Sequence, residues 1–203
     1  MNQYATPNFK LILCDPNRQL CEELEKHFKF PDVEVVCDLF QNTEFDCVVS
    51  AANSFGLMDG GIDGAIIDRF GLELQEKIQK AIIKEYAGEQ PIGTSMIVSV
   101  DGTYPTKYVA HTPTMRVPAS VEGTDNAYLA MKAMLMAVQK HNILAHDIQY
   151  VACCGFGTLT GGLSPQKAAQ QMALAYAYFV LPRPTKLSWP YAVEISQQIA
   201  STV

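Results

Sequence analysis

Apolar residues in this chain fall into short unbroken runs, separated by longer stretches in which they recur every three or four positions. The first pattern suits strands buried on both faces, and the second suits helices with one buried side. Phe9 to Cys14 is a strand run closed by Asp15-Pro16-Asn17, a helix-capping cluster. A helix from about Arg18 to Phe28 follows, with Leu20, Cys21, Leu24 and Phe28 on one face. Val33 to Cys37 is rich in β-branched residues and forms the next strand, closing at Asp38. Cys47-Val48-Val49-Ser50 is continuously apolar up to Ala51-Ala52-Asn53 and is expected to be a central strand.

Beyond a glycine-containing stretch, Gly56 to Gly64, the period becomes helical through Tyr86, with Gly71 placed to break or kink it. Met96 to Val100 and Lys107 to His111 read as two strands around the turn-rich Asp101-Gly102-Thr103-Tyr104-Pro105. Thr124-Asp125-Asn126 caps a helix to about Asn142, and Ile148 to Cys154 is the last clear strand. That strand runs into Gly155-Phe156-Gly157-Thr158-Leu159-Thr160-Gly161-Gly162. Ser164 and Pro165 then open a helix through about Phe179. Strands alternating with helices predict a three-layer α/β/α sandwich on a mixed, largely parallel sheet. Residues 1–203 read as one domain with its core at about 9–180, and the proline-rich 181–203 as an extension packed on it, ending in a short helix from Tyr191 to Ser201.

Composition narrows the class. No run is long and apolar enough to cross a bilayer, and Met1 to Pro7 lacks the basic and apolar parts of a secretory leader, so a soluble cytoplasmic protein without membrane partners is expected. The net charge of −6 disfavours a nucleic-acid partner. The six cysteines lie mostly in apolar runs and read as reduced core thiols; Cys153 and Cys154 point to opposite strand faces, and no Cys-x-x-Cys is present. No metal or cofactor is expected.

Two glycine-rich stretches each follow a strand and precede a helix. Asp59-Gly60-Gly61-Ile62-Asp63-Gly64 lets backbone amides approach an anion at the positive end of a helix, and Gly155 to Gly162 forms a similar nest with the Thr158 and Thr160 hydroxyls as further donors. Two cradles at one sheet edge suit a diphosphate, although either alone is equally well a tight turn. Neither carries the lysine of a triphosphate-hydrolysing loop.

The order of these motifs resembles the macro domain family. Phe45 to Asn53 followed by Gly60 to Ile66 is similar to its opening signature, Tyr108-Val109-Ala110-His111-Thr112 to its strand ending in His-Thr, and Gly155 to Pro165 to its second phosphate loop, from about Asp38 to Phe179 in all. The resemblance implies binding of ADP-ribose or an ADP-ribosylated protein, with removal of ADP-ribose from proteins or deacetylation of O-acetyl-ADP-ribose as the associated activities. It implies a binding site made of Asp38, Leu39, Ala52, Asn53, Gly60, Gly61, Ile62, Asp63, Gly155, Phe156, Gly157, Thr158, Leu159, Thr160 and Gly161. In that arrangement Asp38 accepts from the adenine amino group, Asn53 holds the distal ribose, and Asp63 activates water for attack at the anomeric carbon.

Each residue also has a plainer reading: Asp38 and Asp63 as caps, Asn53 as a turn former, His111 as a structural imidazole. The sequence departs from the family pattern at three places. Ser50 stands where an asparagine is common, Asp59 replaces a glycine, and Gly161-Gly162-Leu163 replaces a glycine and aromatic arrangement, with Phe156 as a substitute stacking group. A hydrolase, a binding module without turnover and a scaffold with a degenerate pocket are the three functions consistent with this reading.

Overall fold

A computed structural model describes residues 7–102 and 104–203. Met1 to Thr6, most of the segment read for a leader, and Thr103 in the turn before Tyr104 lie outside the described residues. The strands are β1 (Lys10–Cys14), β2 (Val33–Val36), β3 (Cys47–Asn53), β4 (Met96–Ser99), β5 (Tyr108–Met115) and β6 (Tyr150–Cys153). The helices are α1 (Arg18–His27), α2 (Gly61–Phe70), α3 (Glu73–Tyr86), α4 (Asn126–Leu144), α5 (Pro165–Val180) and α6 (Trp189–Ala200), with a single 3-10 turn at Phe40–Asn42.

The strands form one sheet in the order β2-β1-β6-β3-β5-β4. All neighbours pair in parallel except β4, which is antiparallel to β5. Parallel neighbours need crossovers, and the helices provide them on both faces. Successive side chains of a strand point to opposite faces, so β1 sends Leu11 and Leu13 to one core and Ile12 and Cys14 to the other. The first core lies under α1, α4 and α5, and the second under α2 and α3. The molecule is thus the three-layer α/β/α sandwich that the alternation of patterns predicts.

Gly71, at φ 91, ends α2 and divides the long helical stretch in two, at the place the sequence reading marked for a break. Several boundaries differ from that reading, three of them for a clear local reason. Helix α2 already begins at Gly61, so Asp63 is in its first turn and does not cap it; the cap position is Gly60. Strand β5 runs past His111 to Met115, and its Pro113 sits where the pairing with β3 changes register, a place that tolerates the missing N–H. Helix α6 starts at Trp189 behind a Ser188 cap, with Pro190 in the first turn, where a proline leaves no helical hydrogen bond unmade.

No residue of α6 is fully buried. The helix is attached through Ile199 on the first core, the Tyr178 hydroxyl donating to Gln198, and the Gln171 amide donating to the Thr202 carbonyl. Among the described residues no helix is long and apolar enough to cross a membrane.

Candidate functional site

Strands β6 and β3 are neighbours, yet the chain leaving β6 enters α5 on one face while the chain leaving β3 enters α2 on the other. The two exits diverge and leave a crevice beyond the carboxyl ends of the strands, where open α/β sheets place ligands. A cleft of about 450 Å³ occupies that position. Both glycine-rich loops line it, together with the ends of β1, β3 and β5.

The loop before α2 presents Gly60 and Gly61 at the helix amino terminus. Gly61 has φ +57, which favours glycine, but Gly60 has an extended φ of −161 that any residue adopts. A Cβ on either would meet nothing within 4 Å. The fold therefore does not require glycine at Gly60, and the open space lies where an anion would approach the amides of α2.

The second loop is the reverse case. A Cβ on Gly155 would overlap the Leu20 side chain, and one on Gly161 would stand 2.5 Å from the Gly157 carbonyl oxygen. Gly157 itself has φ +74. The loop is closed on itself by the Leu163 amide donating to Gly157 at 2.9 Å and the Gly162 amide donating to Leu159 at 3.0 Å. The Val121 amide holds it from outside by donating to Gly161 at 2.8 Å. The Thr158 hydroxyl donates to the Gly155 carbonyl at 3.3 Å, inside the loop, and Leu159 stands exposed at the rim. Phe156 is fully buried against the first core, and its side chain lies away from the cleft lining.

Asp63 enters the cleft from the first turn of α2 and is only 5% exposed. The Ser50 hydroxyl donates to its Oδ1 at 2.5 Å. Loss of hydration pushes the Asp63 carboxyl up from 3.8 to about 6; the Ser50 hydrogen bond lowers it and the nearby Asp59 charge raises it. Asp63 is thereby held close to the point where it can both take and give a proton near neutrality.

Asn53 also lines the cleft, with its side chain folded into a turn: Oδ1 accepts from the Phe55 and Leu57 amides at 3.0 and 3.3 Å, and Nδ2 donates to the Leu57 carbonyl at 2.7 Å. Asp38 is exposed, and its Oδ1 accepts from the Leu39 amide at 2.7 Å and from the Asn42 side chain at 2.9 Å. It ties the residue before the 3-10 turn to the last residue of that turn and stands outside the cleft lining, whereas Leu39 and Phe40 are within it. Ala52, Ile62, Thr160 and the remaining loop residues named from the sequence line the cleft together.

Several cleft residues carry no motif. Asp15, at the end of β1, accepts from the Asn17 amide through Oδ1 at 2.9 Å and from the Gly155 amide through Oδ2 at 3.1 Å. Pro16 and Asn17, which caps α1, stand beside it, and Thr114, Met115 and Pro118 close the opposite side. The carboxyl end of a parallel strand running into a helix cap was the signal for Asp15 to Asn17. Thr114 and Met115 gave none, because they lie beyond the point where the apolar run ends.

Among the described residues no lysine, arginine or histidine lines the cleft, while Asp15, Asp59 and Asp63 all do. His111 is enclosed, its Nδ1 paired with Gln90 at 2.6 Å, and burial lowers its pKa to about 3. It is a neutral structural imidazole. Cys154 lines the cleft, but burial raises its thiol above the ordinary range, and the described cysteines are all free. No group of three His, Cys, Asp or Glu among the described residues is placed to hold a metal ion.

The Macro domain family model matches residues 49–172. An uncharacterized protein of Aquifex aeolicus is 32% identical over 143 residues, covering 70% of this chain and 78% of its own length. The O-acetyl-ADP-ribose deacetylase of Escherichia fergusonii is 40% identical over 67 residues, 33% of this chain and 36% of its own. Among solved structures, the Oceanobacillus iheyensis macrodomain with ADP superimposes with a TM-score of 0.57 at 20% identity, covering 78% of this chain and 85% of that one.

Proposed function

This chain belongs to the macro domain family, and from that premise we propose that its cleft binds ADP-ribose and that Asp63 releases ADP-ribose from modified proteins or from O-acetyl-ADP-ribose. The observation that carries the reading is the pair of glycine loops at the diverging exits of β3 and β6, with empty space over Gly60 and Gly61 at the amino end of α2. A diphosphate in that space accepts from backbone amides and the helix end, which need no cationic side chain. The solved relative with ADP, and the partial relative that carries the deacetylase name, support the same ligand class.

In this reading the adenine lies toward Leu39, Phe40 and the Asp15 to Asn17 turn, and Asp38 reaches it by releasing its own turn. The distal ribose lies toward Asn53 and Asp63. For an ADP-ribosylated protein, Asp63 takes a proton from water as the water oxygen bonds to the anomeric carbon. The bond from that carbon to the protein oxygen breaks, and the proton is then available to the departing oxygen. The free thiols suit action in the cytoplasm.

Calorimetric titration with ADP-ribose tests the binding half, which fails if no adenine nucleotide binds. Release of ADP-ribose from modified protein by wild type and Asp63→Ala tests the chemical half. Undiminished release by the variant removes Asp63 from the reaction, and binding without any release leaves a module that only recognises its ligand.

A further inference from the structure

Among the described residues the Ser50 hydroxyl has one hydrogen-bond partner, the carboxylate of Asp63 at 2.5 Å, and both side chains are buried. Ser50 lies three residues before Asn53 on β3, where the family pattern commonly has an asparagine, and the residue itself is not part of the cleft lining. It is fully enclosed, so its hydroxyl does not meet the ligand directly. The geometry points to Ser50 as the positioning residue for Asp63: it occupies Oδ1, leaves Oδ2 for the acid–base step, and favours the ionised form of the carboxyl that accepts a proton. This rests on the reading of Asp63 as the acid–base group.

Two physical arguments support it. A hydroxyl donating to a carboxylate favours the charged form, in opposition to burial and to Asp59, which both favour the neutral one. Ser50 is thus the group that keeps Asp63 from being pushed further up. The other groups around the pair cannot take over that task. Asp59, in the loop before α2, carries the same sign. Cys154, from the end of β6, stays a thiol, and Asp15 beside it is also acidic. His111, paired with Ser50 across β3 and β5, is neutral and tied to Gln90.

The test follows the titration of the Asp63 side-chain carboxyl carbon by NMR in the free protein, the resonance being identified by its loss in Asp63→Asn. Ser50→Ala is expected to raise the midpoint by about one unit, the scale of one hydrogen bond to a charged group. Ser50→Cys keeps the volume with only a weak donor and is expected to move it the same way, while Ser50→Thr keeps the hydroxyl and restores the midpoint. The acid limb of the pH profile for ADP-ribose release shifts with the NMR midpoint. An unmoved midpoint in both Ser50→Ala and Ser50→Cys overturns the proposal. A shifted midpoint with no release by wild type leaves the Ser50 role standing and overturns the hydrolase reading instead.

Discussion

Asp15 Oδ2 accepts the amide of Gly155 at 3.1 Å, across 140 residues of sequence. The end of β1 is thereby fastened to the first residue of the second glycine loop, and Asp15 holds the loop from below while also lining the cleft. Replacing Asp15 by Ala leaves a partly buried amide without its charged acceptor, which costs about 1 to 3 kcal/mol. The expected result is a lower unfolding midpoint and ADP-ribose affinity reduced by about tenfold, with Asp15→Asn intermediate. Chemical denaturation and calorimetry check it, and unchanged values in Asp15→Ala would show that the loop holds itself.

The glycines of the two loops separate on a simple pair of substitutions. Gly155→Ala drives a methyl group into the Leu20 side chain, and overpacking of this kind costs about 1 to 3 kcal/mol. Gly60→Ala meets nothing and sits at an extended φ, so its stability should stay within about 1 kcal/mol of wild type. Affinity for ADP-ribose should nevertheless fall by about tenfold or more, because the methyl fills the space over the α2 amides. A Gly60→Ala protein that binds as well as wild type places the diphosphate elsewhere.

The raised Asp63 carboxyl makes stability depend on pH in a sense opposite to most native carboxylates. Its folded pKa is about 6 against 3.8 for the ordinary group, so between those values the native state holds more proton than the unfolded chain. Stability from this group is therefore full below about pH 3.8 and falls as pH rises through about 6, by roughly 3 kcal/mol in all. Relative to wild type, Asp63→Asn should become more stable as pH rises from 4 to 7, by about 1 kcal/mol or more. Urea unfolding across that range measures the difference; a constant gap between the two proteins contradicts the burial argument.

The charges around the cleft set a preference among nucleotides. Asp15, Asp59 and Asp63 line it and no cationic side chain does so among the described residues. A terminal phosphate, as in ADP, adds charge that these carboxylates repel, whereas the second ribose of ADP-ribose adds none. ADP-ribose is expected to bind more tightly than ADP by about threefold to tenfold, and Asp59→Asn to narrow the gap. Titrations at low and physiological salt check this, since screening should also narrow it. Equal affinity for both at low salt would mean that the acidic groups face away from the phosphates.

The layered fold was readable because each strand is a short apolar run and each helix has its own period and caps, as at Asn17 before α1 and Ser164 before α5. The two glycine loops were readable because both follow strands. Less accessible were features in which neighbours in space override local preference. Strand β5 continues through Pro113 because a register shift against β3 accommodates it, which no local rule foretells. Phe156 looks like a loop aromatic free to stack on a ligand, yet the first core takes it in completely.

Local chain chemistry, in the form of residue period, capping groups and glycine placement, was enough to specify the sandwich and the two glycine loops at its edge, because these depend on a few adjacent residues. The character of Asp63 was not contained in its neighbourhood in sequence, where it reads equally as a helix cap. Burial by the folded chain raises its carboxyl toward neutrality, and the approach of Ser50, thirteen residues away, limits the rise. Asp15 likewise gains its place in the cleft only because β1 lies beside β6 in the sheet. Hydration and long-range contact are properties of the assembled layers, and they set the chemistry of the cleft.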